Sequence, residues 1–128
     1  APSAYAVQAA ISAIHARAQR ASDTDWPQIA LLYDLLMRLQ PTPVVALNRI
    51  VARALAFGPA PALEELATLA NELDGYHLFH AARADLLRRL GQVELSRLSY
   101  ERALTLASAE PERRFLARRL AGLAGTTQ

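Results

Sequence analysis

The stretch RADLLRRLGQVELSRLSYERALTLAS, residues 83–108, constrains the fold of this chain more than any other. On either side of Gly91 its apolar residues recur at three- and four-residue spacing. Ala84 and Leu87 precede the glycine, and Tyr100 and Ala103 follow it. That spacing gathers the side chains on one face of a helix, and glycine ends helices easily because it adopts a left-handed cap without strain. Two antiparallel helices hinged at Gly91 are therefore expected. Alanine and leucine, which head the helix-propensity scale, dominate the composition, whereas aromatic residues make up 6 %. β-Branched residues do not cluster in runs, which argues against a sheet. The expected class is all-α.

Seven helices are predicted. The first covers about residues 3–21, with Val7, Ile11, Ile14 and Ala18 in register. Asp25 is the expected cap of the second, with Trp26 and Pro27 in its first turn and Ile29, Leu32, Tyr33, Leu36 and Leu39 on its inner face. Thr42 and Pro43 restart the chain in the same way for a third helix bearing Val44, Leu47, Val51 and Leu55, with Gly58 as its C-cap. A fourth, entered through Pro59 and Pro61, carries Leu63, Leu66, Ala67, Ala70 and Leu73. The fifth and sixth flank Gly91. A seventh follows the cap Ser108, and Gly122 and Gly125 mark its end.

Paired, these helices form a repeat. Tyr33, Ala67 and Tyr100 align at intervals of 34 and 33 residues, and Gly58 and Gly91 also lie 33 apart. This is close to the period of about 34 of the tetratricopeptide repeat, which the stretch around Gly91 resembles. Ser96 stands there where that repeat has a small apolar residue. The resemblance implies three helix pairs in a right-handed superhelical stack, closed by the seventh helix as a cap. Residues 1–128 are expected to form a single domain of this tetratricopeptide-like kind.

Composition removes several classes of function. There is no cysteine, hence no disulfide framework and no thiolate chemistry. All 14 basic residues are arginine, yet the formal charge is only +2. Five arginines stand against four acids up to Glu64 and nine against eight after it, which is no nucleic-acid-binding polycation. Apolar runs fall far short of the ~20 residues of a membrane span. No signal peptide is visible, and the opening at Ala1 is that expected of a processed product or an excised domain. Cytoplasmic residence is expected.

No nucleophile elbow, phosphate-binding glycine loop or paired carboxylates are found, so catalysis is not expected. His77 and His80 are three apart on one helix, but no Asp or Glu accompanies them at ligand spacing, and neither a metal nor another cofactor is expected. Binding is the remaining chemistry. Trp26 beside the acidic turn at Asp23 and Asp25 serves either as a packed staple or as a contact residue. Asn48 and Arg49 sit beside an apolar stripe, where asparagine makes a buried hydrogen bond or a groove contact. Tyr76, His77, His80 and Arg83 complete the candidate protein-binding set. Arg88, Arg89, Arg113, Arg114, Arg118 and Arg119 form either an ion-paired solvated face or a surface for an acidic partner.

Taken in order, YAVQAAISAIHARA (5–18), DTDWPQIALLYDLL (23–36), PTPVVALNRIVARA (41–54), YHLFHAARADLLRRLG (76–91) and ERRFLARRL (112–120) resemble the C-terminal extension of a group of bacterial extracytoplasmic-function sigma factors. In that group a tetratricopeptide-like domain follows two promoter-reading domains. Ile50 departs from the smaller residue expected after LNR, and the promoter-reading domains have no counterpart here. The resemblance implies a regulatory module that tunes transcription initiation by contacts with the sigma domains, the RNA polymerase core or a regulatory protein. It implies no direct DNA binding by this segment. A free-standing tetratricopeptide-like adaptor binding an unrelated protein is the alternative, and a helical small-molecule sensor is more distant.

Overall fold

The computed structural model describes residues 2–124, and every regular element among them is helical. The helices are α1 (Ala4–Arg17), α2 (Trp26–Leu39), α3 (Pro43–Phe57), α4 (Ala62–Ala67), α5 (Ala70–Leu73), α6 (His77–Arg89), α7 (Val93–Leu106) and α8 (Glu110–Ala124), with one 3₁₀ turn at Ala21–Asp23. The chain divides into two compact units, Ala1–Ala62 and Leu63–Gln128.

In the first unit α2 packs against both α1 and α3. All three helices begin on a side-chain cap. Ser3 Oγ accepts from the Ala6 amide at 3.1 Å, Asp25 Oδ1 from Gln28 at 3.1 Å, and Thr42 Oγ1 from Val45 at 3.2 Å. Each satisfies an amide that the helix cannot, a contribution of about 1 kcal/mol. Pro27 and Pro43 occupy first-turn positions, as the sequence predicts. The core gathers Val7, Ile11 and Ile14 of α1, Ile29, Ala30 and Leu36 of α2, and Val45 and Ala52 of α3. α1 ends at Arg17, short of the expected residue 21, because the chain turns extended at Ala18 before the 3₁₀ turn.

In the second unit α7 packs against both α6 and α8. Gly91, at φ +77°, ends α6. The Gln92 amide reaches the Leu87 carbonyl at 2.9 Å and the Gly91 amide reaches Arg88 at 3.0 Å, the paired bonds of a Schellman cap. A core of Ala84, Tyr100, Ala103, Ala107, Leu116 and Leu123 lies among α6, α7 and α8.

Two sequence expectations change here. The predicted fourth helix is two short ones. Thr68 Oγ1 donates to the Glu65 carbonyl at 2.6 Å, and the Thr68 and Leu69 amides make short i→i−3 bonds, so the chain tightens and the ladder stops. Ala67, aligned with Tyr33 and Tyr100 by the repeat, is exposed at the end of α4. The last helix starts at Glu110, two residues beyond Ser108, and runs through Gly122. Gly125 lies outside the described residues.

Candidate protein-interaction surface

The seven candidate residues are divided between the units. Trp26, Asn48 and Arg49 belong to the first; Tyr76, His77, His80 and Arg83 belong to the second. Several are already committed to the fold. Trp26 packs against the first unit's core and meets the His15 ring edge-on at 5.3 Å, so it acts as a staple. Arg49 Nε donates to Asp34 Oδ1 at 2.5 Å, tying α3 to α2. His77 Nε2 faces the Glu112 carboxylate at the start of α8, and the Tyr76 ring stands edge-on to the imidazole at 5.5 Å. His80 is buried, and its Nε2 lies 2.6 Å from the Asp74 carbonyl. A carbonyl only accepts, so that nitrogen carries a proton. The sequence gives no hint that Glu112 lies beside His77, since that contact arises from tertiary packing, whereas Asp74 meets His80 locally, across the turn six residues earlier that leads into α6. Among the described residues no group of three or more metal-ligating side chains gathers.

Asn48 and Arg83 are uncommitted. Asn48 makes no side-chain hydrogen bond among the described residues. With Gln8, Ser12, Tyr33, Val44 and Val45 it lines a groove of about 350 Å3 in the first unit. Burial pushes the Tyr33 hydroxyl above its ordinary pKa, so it stays a neutral donor there.

Arg83 has no acidic partner among the described residues. It stands with His80 at a hollow of about 490 Å3 whose apolar lining includes Leu63, Leu66, Phe79, Leu87 and Leu95. Two helices contribute His80, Arg83 and Leu95. α6 supplies the first two one turn apart, and α7 brings Leu95 across from them.

Leu95 belongs to a feature that the candidate set omits. Over residues 95–99 of α7 the usual places of polar and apolar side chains are exchanged, while Tyr100 and Ala103 further along stay inside. Ser96 and Ser99 are 0 % and 5 % exposed, whereas Leu95 and Leu98 are 46 % and 61 % exposed. Leu95 and Leu98 are three apart and share one helix face. The pattern LSRLS carries this inversion in plain sight, but it emerges only once Tyr100 and Ala103 fix which face is inside.

The arginine face resolves into paired and unpaired members. Asp85 holds Arg88 at 2.6 Å and Arg89 at 2.9 Å. The Asp85 carboxylate raises the proton affinity of Arg88, burial opposes it, and the Tyr100 hydroxyl adds to the rise. Arg113 donates to the Leu104 and Ala107 carbonyls at 2.7 and 2.9 Å, and Arg114 reaches Glu110 at 4.0 Å. Arg118 and Arg119 have no carboxylate partner among the described residues; Arg119 lies over the Phe115 ring at 5.3 Å.

No protein-family profile matches the chain, and no solved structure matches it. It is 45 % identical over 123 residues to an uncharacterized protein of Rhizobium meliloti (strain 1021). That match takes in 96 % of this chain but 29 % of the relative, so the chain spans less than a third of the length of the curated protein it matches. Among the described residues no helix is long and apolar enough to cross a membrane.

Proposed function

We propose that this chain is a regulatory protein-interaction module of the kind that extends extracytoplasmic-function sigma factors, working by binding and not by catalysis. The observation that carries the reading is the exchange over residues 95–99 of α7. Leucines 95 and 98 face solvent while serines 96 and 99 are enclosed, and leucines left in water at helical spacing, beside an apolar hollow, favour an interface. Arg83 at the rim of that hollow offers a charge-assisted contact to a carboxylate on the partner. The favoured occupant is an amphipathic helix that lays its apolar face between Leu66, Leu87 and Leu95.

The sigma-factor assignment draws its support from the five ordered segments that resemble that family. The Rhizobium relative adds that a similar stretch is built into a much longer chain there. Acting on initiation, the module would work in the cytoplasm. Its contacts with the sigma domains, the polymerase core or a regulatory protein would shift the sigma factor between idle and polymerase-competent populations.

The test starts with the gene. Sequence upstream of the codon for Ala1 is expected to encode promoter-reading domains. The full-length product carrying Leu95→Glu and Leu98→Glu is then compared with the wild type in run-off transcription. A changed transcript yield with unchanged thermal stability supports the reading. An upstream region without such domains, or a yield equal to wild type, removes it.

A further inference from the structure

We infer that α8 pairs two copies of this chain, antiparallel about a twofold axis beside Phe115. One face of α8 carries Glu112, Phe115 and Arg119, at helical spacing. Contacts fix all three there. Glu112 and Phe115 line a hollow of about 250 Å3 together with His77, Leu78 and Ala81 of α6. The Arg119 guanidinium lies over the Phe115 ring at 5.3 Å. Leu78 and Phe115 leave 42 % and 43 % of their surface in water, and an aromatic and a leucine exposed around one apolar hollow favour a covering partner.

The charges of α8 specify that partner. Glu110 reaches Arg114 at 4.0 Å, and Arg113 is held by the Leu104 and Ala107 carbonyls. Glu112 and Arg119 are left over. A helix pairs opposite charges three or four residues apart. Between Glu112 and Arg119 those places are Phe115 and Leu116 for both, and on their outer sides they are Ser108, Ala109, Gly122 and Leu123. Glu112 and Arg119 themselves stand about 10 Å apart along the axis, too far to meet. His77 faces Glu112 Oε2. The other oxygen of that carboxylate, and the Arg119 guanidinium, have no ion-pair partner among the described residues.

A second α8 laid end for end supplies both partners. It sets Glu112 of each copy opposite Arg119 of the other and brings the two Phe115 rings together over the apolar hollows. A parallel copy would instead set Glu112 against Glu112 and Arg119 against Arg119. The stripe is thus its own complement in the isologous arrangement that closes a twofold dimer. The surface is one helix pair wide, at the low end for a specific interface, so the dimer forms reversibly and with concentration. This face shares no lining residue with the hollow beside Leu95 and does not rest on the function proposed above.

The experiment is sedimentation equilibrium of the full chain from about 10 μM to about 1 mM, concentrations at which a small interface associates. Wild type is expected to rise from the mass of one chain toward that of two. Arg119→Glu, at an exposed position, sets like charges opposite each other and is expected to weaken association about tenfold or more. Glu112→Arg is expected to do the same. Mixed in equal amounts, these two variants meet with opposite charges at both pairs, and dimers are expected to return. Phe115→Ser alters neither charge and is expected to weaken the dimer by a similar factor. Leu95→Glu, on the separate face, is expected to associate as wild type. Melting temperatures check that each variant is folded; should Glu112→Arg melt early through loss of its His77 contact, Arg119→Glu and Phe115→Ser decide the question alone. A wild type that stays at one chain throughout, or association undiminished by Arg119→Glu and Phe115→Ser, would overturn the proposal. So would a mixture of the two folded charge variants that stays monomeric, or a dimer that only Leu95→Glu disrupts.

Discussion

Ser96 Oγ donates to the Ala84 carbonyl at 2.8 Å, and neither side chain touches solvent. The bond crosses from α7 to α6 at the closest-packed helix pair of the second unit. The serine thus performs two tasks that a small apolar residue divides. It leaves room for the helices to approach, and it anchors their register. Ala84 lies mid-helix, so its carbonyl keeps a ladder partner when the hydroxyl is removed. Ser96→Ala should cost about 0.5–1.5 kcal/mol. Ser96→Leu must force three more carbons into a closed site and should cost about 1–3 kcal/mol beyond that. Urea denaturation of both variants measures the difference, and a leucine variant as stable as the alanine one would mean the helices are not in close contact there.

Arg113 closes the other end of α7. Its Nη1 donates to both Leu104 and Ala107 carbonyls, acceptors that the helix leaves without partners at its C-terminus. Arg113→Ala should destabilise the chain by about 1–2 kcal/mol, the partial exposure of the site reducing the full charged-bond value. Arg113→Lys retains the charge but not the fork, and should recover less than half of the loss. Hydrogen exchange at the Ala107 amide, which bonds Ala103 at 2.9 Å, is expected to accelerate in the alanine variant. Unchanged protection there would remove the capping role.

What the sequence reveals is what is decided locally. Asp25, Thr42 and Gly91 stand out because a cap depends on the few residues that follow or precede it, and the structure places all three as predicted. The break at Thr68–Leu69 is hidden, since leucines and alanines continue at helical spacing through it, while the Thr68 hydroxyl bonds back to the Glu65 carbonyl and the backbone tightens there. Among the described residues Arg83 has no acidic partner and Asn48 no side-chain hydrogen bond, whereas Trp26 and Arg49 meet partners on other helices and His80 meets the Asp74 carbonyl in the turn before α6. Leu95 and Leu98 are not legible as surface residues, because leucine in a helix reads as core until the inner face is known.

Asp34 and Arg49 form the bridge between α2 and α3. Their side chains are 31 % and 38 % exposed, so solvent screens much of the attraction. Asp34→Asn and Arg49→Gln should each cost less than about 1 kcal/mol, and the double variant should cost less than the two together. A double-mutant cycle in urea isolates that coupling. Additive losses would show that the pair contributes nothing beyond its separate contacts.

Tyr33 gives the first unit a dependence on alkaline pH. Burial holds its hydroxyl above the ordinary pKa of 10.0, because the phenolate would lose its water. The native state therefore keeps the proton to higher pH than the unfolded chain does. The associated stability is fully present below pH 10.0, the unfolded value, and is lost as pH rises through the higher native value. No hydrogen bond among the described residues is forfeited with the hydroxyl, so Tyr33→Phe should melt within about 0.5 kcal/mol of wild type at neutral pH. Melting temperatures recorded from about pH 8 to pH 11 should diverge above about pH 10, wild type falling faster than Tyr33→Phe. Curves that stay parallel across that range would mean that the phenol ionises in the folded protein as freely as in the unfolded chain.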